Sequence, residues 1–219
     1  DYLMVAIETD GQPAHIYDIR DLDNIEEVNT YTANSASLVH NPYLRGDFMF
    51  ISHNTEGLRV LDFSDPAVPV EVGYYDTFAG ASGGFSGLWS ACPYFPSGKI
   101  IGGNRTDGLY IWTFDDTKAA RIYGTVVADL TNNIIPNAEF HLKGTDLNFS
   151  SDLTGNFAVG TLAGTYVLEV KAEGFLTQEI PVDLAQADRI FLYIRMDNLL
   201  SPTQQTIDNQ LININPNPA

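Results

Sequence analysis

The sequence predicts an all-β protein: a partial β-propeller followed by a small antiparallel β-sandwich and a polar tail. Three observations carry this. First, an alternating apolar strand, an Asp-Pro turn and a second alternating strand occupy residues 57–75, GLRVLDFSDPAVPVEVGYY. Second, an imperfect copy lies upstream at residues 15–31, HIYDIRDLDNIEEVNTY, and a partial copy downstream at 108–114, GLYIWTF. Third, past residue 120 the repeat gives way to period-two stretches without a helical segment, most of them separated by Gly, Asn, Asp or Pro.

In order, residues 2–7 (YLMVAI) are a short apolar run suited to a buried strand, and TDGQP at 9–13 is dense in turn formers. Residues 15–19 alternate, RDLDN (20–24) is polar, and 26–31 is a further strand. FMFI at 48–51 opens the second copy, NTEG (54–57) is its hairpin turn, 59–63 the next strand and SDPAVP (64–69) the following turn. A third unit begins near Leu88, with turns at YFPSG (94–98) and NRTDG (104–108) and strands at 99–102 and 109–114.

The first two copies align at a constant offset of 44 residues: Asp18-Ile19 on Asp62-Phe63, Asp21 on Asp65, Glu27-Val28 on Glu71-Val72. Apolar Ile16, Ile19, Ile25 and Val28 match Val60, Phe63, Pro69 and Val72. A period in the forties made of short strands and turns reads as propeller blades, none of which buries its faces alone. Closure needs at least about four blades, and roughly two and a half are present. The chain also opens at Asp1 inside an apparent strand, so it is expected to be a piece of a longer protein whose other blades lie upstream.

The second part contains alternating stretches at 122–128, 138–144, 155–161, 164–171, 175–184 and 189–196. Six or seven short strands of this kind predict a small antiparallel sandwich. The expected domains are therefore 1–117, 118–197 and a linker-like tail at 198–219.

Composition limits function. Eleven Lys and Arg against 28 Asp and Glu give a formal charge of −17. That field repels phosphate backbones and anionic head groups, which argues against nucleic acid and membrane surfaces and favours solubility. No apolar run approaches the ~18–20 residues of a membrane-spanning helix, and the single cysteine, Cys92, excludes an intrachain disulfide.

Residues 57–77, GLRVLDFSDPAVPVEVGYYDT, resemble the LVIVD repeat, a blade motif of secreted bacterial and archaeal β-propellers. HNPYLRGDFMFIS, leading into it, and GLWSACPYFPSGKIIGGNRTDGLYIW, following it, resemble the C-terminal end of the choice-of-anchor B domain. The first copy departs from the repeat, with Asp21-Leu22-Asp23 in place of Asp-Pro and Asn29 in place of Gly73. The resemblance implies an exported, surface-displayed protein with interchangeable C-terminal anchors, and supplies no reaction. Residues 124–175 resemble the carboxypeptidase regulatory-like domain, a transthyretin-like sandwich. The matching positions include Gly124, Asp129, Ile135-Pro136, Asp152, Gly155, Phe157, Gly164, Tyr166 and Gly174-Phe175. Such modules lack a zinc site and imply a structural or adhesive role. The end of the tail, ININPNPA, is similar to the opening of the type IX secretion sorting domain of Bacteroidota, which implies attachment to the outer-membrane surface through a domain beyond Ala219.

Among residues that carry chemistry, two His-Asn pairs, His40-Asn41 and His53-Asn54, flank the strand at 48–51. Loop ends beside inner strands are where propellers usually place ligands, so these four are the candidate binding residues, with hydrogen-bonded blade loops as the structural reading. Two imidazoles would need a carboxylate to hold a metal, and neither HExxH nor HxH spacing is present. Asp62/Asp65 and Asp18/Asp21/Asp23 suggest calcium, but calcium loops need five or more oxygens at tight spacing. Asx turns explain these aspartates more simply. Asp152 and Gly155 read as a hairpin turn, and Cys92, in an apolar motif, as a packed thiol. The aromatics between 74 and 95 fit inter-blade core better than an exposed sugar- or peptide-stacking platform.

The expected function is that of a non-catalytic secreted or cell-surface binding or adhesion protein, with an unknown protein or glycan ligand on the propeller and no required cofactor. One rival is the accessory end of a secreted hydrolase whose catalytic domain lies upstream. Another is a calcium- or glycan-dependent adhesin.

Overall fold

The computed structural model describes residues 1–199. Among these the structure is all-β, with seventeen strands and no helix. The tail from residue 200 on, read above as linker and sorting segment, lies outside the described residues. Contacts divide the chain into two compact units. The first comprises Asp1–Arg121, Val159–Gly164 and Leu184–Arg189; the second comprises Ile122–Ala158, Thr165–Asp183 and the described residues from Ile190 on.

The first unit contains three antiparallel sheets. β1 (Tyr2–Val5), β2 (Ala14–Asp18) and β3 (Glu26–Tyr31) form one in sequence order. β4 (Asn41–Arg45), β5 (Phe48–Ser52), β6 (Leu58–Asp62) and β7 (Val70–Tyr75) form the second, and β8 (Leu88–Cys92), β9 (Ile100–Asn104) and β10 (Gly108–Trp112) the third.

The internal repeat is present in the hydrogen bonding as well as in the letters. The β2–β3 ladder is bulged between Ile16 and Tyr17, and the β6–β7 ladder between Val60 and Leu61, the same place at the 44-residue offset. A bulge adds one residue on one strand and strengthens the local twist. The turns match too. Asp18 and Asp62 accept the amides of Arg20 (3.0 Å) and Ser64 (2.9 Å), and Asp21 and Asp65 those of Asp23 (3.0 Å) and Ala67 (3.1 Å). Each is an aspartate bonding the backbone two residues on.

The two central strands of the middle sheet are buried on both faces, which explains why FMFI is a continuous apolar run. Alternate side chains point to opposite faces. Met49, Ile51 and Leu61, with Phe63, pack against Met4, Ala14, Ile16 and Val39. Phe48, Phe50, Leu58 and Val60 pack against Leu88, Ala91 and Ile100. Every residue of β5 is buried, and each large apolar side chain so placed contributes about 1.5–3 kcal/mol. A polar tie joins the first two sheets: the Tyr31 hydroxyl donates to Glu71 at 2.5 Å, and Arg59 Nη1 donates to the same carboxylate at 3.2 Å. Burial first, and then the Glu71 charge, push the Tyr31 phenol well above its ordinary range.

Asp62 has a second role that its turn motif does not reveal. Arg121, 1% exposed, directs Nη2 to the Asp62 carboxylate (3.2 Å) and to its main-chain carbonyl oxygen (3.0 Å). Its Nη1 and Nε donate to Ser64 Oγ (3.1 Å) and Val68 O (3.0 Å). The carboxylate also accepts from Ser64 N, Ser64 Oγ and Ala119 N. Burial alone would raise the Asp62 carboxyl, but these donors outweigh it and hold the group below the usual carboxylate value.

Three expectations need correction. β1 ends at Val5 and buries only Met4, because it lies at the edge of its sheet rather than in a sheet interior. Ile25, matched above to Pro69, is exposed. Of the aromatics between 74 and 95, Tyr74, Tyr75, Phe85, Trp89, Tyr94 and Phe95 are all exposed rather than core, because the core positions are filled by β5, β6, β8 and β9.

β11 (Ala120–Ala128), β12 (Glu139–Lys143), β13 (Asn148–Ser150), β14 (Asn156–Thr161), β15 (Gly164–Lys171), β16 (Gln178–Leu184) and β17 (Arg189–Met196) build the sandwich. Its sheets run β14-β11-β17 and β13-β12-β15-β16. Val126, Ile194 and Met196 from one, and Phe140, Leu142, Leu168, Val170 and Val182 from the other, are buried. The Phe140 and Phe157 rings stand 4.4 Å apart. Gly124 is required because a Cβ there would run into the Phe157 ring and the Leu192 carbonyl oxygen. The turn before β14 is as expected: Asp152 accepts from Thr154 N (2.7 Å) and Asn156 N (2.9 Å), and Gly155 takes φ +76°.

Candidate functional site

In the first unit, the β1–β2, β5–β6 and β9–β10 connections and the segments entering β4 and β8 meet at one end of the sheets. Antiparallel connectivity puts them there, and hydrogen bonds join them. Gly84 N donates to Asp10 (2.8 Å), Gly83 N to Thr55 Oγ1 (3.1 Å) and Asn34 Nδ2 to Ser82 Oγ (2.8 Å). Leu88 N donates to Asn54 O and Arg105 N to Gly87 O, both at 2.9 Å. Gly83, Gly84 and Gly87 all have positive φ, so the Gly- and Ser-rich segment 80–87 folds tightly over this end.

The four candidate residues all lie here, but they do not form one site. His40, buried ahead of β4, places Nδ1 at 2.9 Å from the Trp89 carbonyl oxygen, and its imidazole centroid is 4.5 Å from the Trp89 ring. Asn41 Nδ2 approaches the same carbonyl at 3.4 Å. On its other side, His40 Nε2 lies 3.3 Å from the half-exposed Glu8 carboxylate. This pair is a positioned acid and imidazole at the rim, with the aromatic platform beside it.

His53 faces the other way. Its Nε2 accepts the Ala33 amide at 3.2 Å and lies 3.4 Å from Thr32 Oγ1, and the ring meets Tyr31 edge-on. An acceptor at Nε2 places the neutral ring's proton on Nδ1. Burial lowers the His53 pKa, so the ring is neutral over a wider pH range than a free histidine. Asn54 is fully buried, with φ +44°, and neither its Oδ1 nor its Nδ2 has a hydrogen-bond partner among the described residues. The buried Thr77 hydroxyl is in the same condition. Such groups carry a cost of about 1–3 kcal/mol each.

Sequence reasoning missed three residues. Glu8 lies between the apolar run at 2–7 and the turn at 9–13, with nothing in the sequence to point to it. Trp89 was visible only as one of many aromatics; a bulge between Leu88 and Ser90 takes it out of the ladder, so it stands 42% exposed at the sheet end. Arg105, in the NRTDG turn, has its guanidinium 5.5 Å from the Trp89 ring centroid and donates to Phe85 O at 3.0 Å. Trp89, Ser90, Gly103, Asn104 and Arg105 line a cleft of about 520 Å³.

Other chemistry is accounted for locally. The turn aspartates are engaged by backbone amides as described, and the Arg20 side chain holds the Asp18 carboxyl down to about 2. Among the described residues no three His, Cys, Asp or Glu side chains cluster as a metal site. Cys92 is half-buried on β8, opposite Ile101.

Residues 42–77, which span the four-stranded sheet, match the LVIVD repeat model. Residues 122–206 match the model of the CarboxypepD_reg-like domain. No curated protein matches the chain. Among solved structures, a minor pilin of the gram-positive pathogen Streptococcus agalactiae is similar over 51% of this chain, with 14% identity and a TM-score of 0.33. The matched region spans 64% of the pilin chain. The chain therefore matches, in series, an LVIVD repeat and a CarboxypepD_reg-like domain.

Proposed function

We propose that this chain is the non-catalytic, ligand-binding end of an exported, surface-displayed protein of a Bacteroidota-like bacterium. The first unit is the C-terminal part of a β-propeller of the choice-of-anchor B type. The sandwich is a spacer, and the tail leads into a sorting domain that attaches the protein to the outer membrane. The observation that supports this reading best is the middle sheet, four strands whose central pair, β5 and β6, packs on both faces between two further sheets, which is how blades pack. The exposed apolar residues Leu3 and Val5 on β1, and Leu109 and Ile111 on β10, suit contact with further blades. Ligand binding is placed at the end that gathers His40, Asn41, His53 and Asn54, where Trp89, Glu8 and Arg105 add an aromatic surface and both signs of charge.

The test is the parent reading frame and its purified product. Further LVIVD repeats and an export signal upstream are the expected finding, together with protease-accessible display on intact cells. An upstream protease or glycosidase domain would overturn the reading. So would turnover of peptide, ester or glycan substrates by the full-length protein that is lost on changing one residue of this segment.

A further inference from the structure

We propose that the sheet end around Trp89 binds an acidic sugar, a pyranose bearing a carboxylate. The proposal rests on the reading of this end as a binding surface and names its ligand class.

The first argument is charge. Arg20, Arg45, Arg59, Arg121 and Arg195 each lie within ion-pairing distance of an Asp or Glu. Arg105 and Arg189, both exposed, have no such partner among the described residues, in a chain with 28 carboxylate side chains and eleven Lys and Arg; Arg189 donates to Ser64 O, and Arg105 is the one that stands at this sheet end. Surrounding carboxylates outnumber cations, so an unpaired guanidinium is the one feature of this end that favours an anion. Its fork matches a carboxylate with two parallel hydrogen bonds.

The second argument is the apolar surface beside it. Trp89 and Phe85 are each 42% exposed, with ring centroids 6.3 Å apart. An aromatic surface next to an arginine fits a ligand with an apolar ring face and an attached anion. The C–H face of a pyranose provides the first and a uronate carboxyl the second.

The third argument is that the surface is already in place. Phe85 O and Gly87 O hold Arg105 by side chain and main chain. The Asn104 amide donates to Thr77 O at 2.9 Å and accepts from Thr106 N at 3.2 Å. Gly103 leaves the cleft open, since a Cβ there would stand 3.3 Å from Ser90 Oγ. Preformed polar groups reduce the entropy lost on binding. The ligand is a sparsely charged sugar acid and not a polyphosphate, because one arginine does not offset the repulsion of a chain at −17 for dense phosphate.

The experiment is isothermal calorimetry of the intact chain with trigalacturonate and with neutral galactotriose, repeated with Arg105→Gln and Trp89→Ala. Circular dichroism confirms that both variants are folded. The expected result is binding of trigalacturonate at least tenfold tighter than of galactotriose. Arg105→Gln should reduce the acidic sugar to the level of the neutral one, and Trp89→Ala should weaken both. Equal affinity for the two sugars, or an Arg105→Gln variant that keeps the preference, overturns the proposal. Binding of neither sugar, while a protein ligand is still captured and Trp89→Ala releases it, overturns the sugar assignment and leaves the proposed function standing.

Discussion

Replacing Arg121 by Met should destabilise the first unit far more than loss of an ordinary surface arginine. Arg121 and Asp62 are 1% and 0% exposed. The substitution removes four hydrogen bonds, to Val68 O, Ser64 Oγ, Asp62 O and the Asp62 carboxylate. It also leaves a buried anion with only the neutral donors of Ser64 and Ala119. Breaking a buried pair from one side costs about 3–5 kcal/mol, against about 0–1 for an exposed pair. With a urea m-value of about 2 kcal/mol/M, the midpoint should fall by roughly 1.5–2.5 M. The readout is clean because both tryptophans, Trp89 and Trp112, belong to the first unit, so indole fluorescence reports its unfolding alone. Asp62→Leu combined with Arg121→Met should cost less than the two single changes added, since the double variant leaves no unpaired charge. A midpoint shift below about 0.5 M for Arg121→Met would refute the reasoning, by showing that water reaches the pair.

The remaining predictions use the same fluorescence assay. Asn54→Gly should stabilise the first unit by about 1 kcal/mol, because it removes an unpartnered buried amide and suits φ +44°; destabilisation would mean that the amide has a partner in solution. Gly57→Ala should cost about 2 kcal/mol or more, since φ is +74° and the new Cβ would run into the Tyr75 carbonyl oxygen; a neutral result would show that the loop moves aside. For pH, the His53 pKa is lowered by burial. The unfolded chain therefore binds the proton first, and the stabilisation is present above the ordinary value of 6.5 and lost as pH falls toward the folded value. The urea midpoint should fall from pH 7.5 to 5.5, and less so in His53→Gln; equal falls in both would assign the effect to other groups.

Much of this architecture was legible because strand periodicity and turn chemistry are local. Six of the seven sandwich strands follow from alternation alone. The seventh, Asn148–Ser150, has three residues and one apolar side chain, too few for a period to show. The site was legible only in part. His40 and His53 stand at the predicted sheet end, yet they turn toward different partners, Trp89 with Glu8 and Tyr31 with Ala33. Which way a loop side chain turns is decided by neighbours many residues away, and no periodicity encodes it. The aromatics between 74 and 95 fall outside the expected core for a related reason: composition counts apolar rings but does not say that β5, β6, β8 and β9 already fill the space between sheets.

The first copy of the repeat shows which parts of the motif the fold needs. It lacks the Asp-Pro pair and the glycine at the position of Gly73, and yet its bulge and both aspartate turns fall where the second copy has them. Pro66 and Gly73 are therefore dispensable to the strand geometry. The positions that carry it are Asp18 and Asp62, which start the turn, and the residue pairs Ile16-Tyr17 and Val60-Leu61, where the ladder shifts. Alternation puts Leu61 on the face that packs on the first sheet and Val60 on the face that packs on the third, while the extra residue of the bulge, Val72, lies on β7. Each copy inserts its extra residue at the matching place on the partner strand, Val28 on β3 and Val72 on β7. This explains why the repeat survives in hydrogen bonding where its letters have drifted.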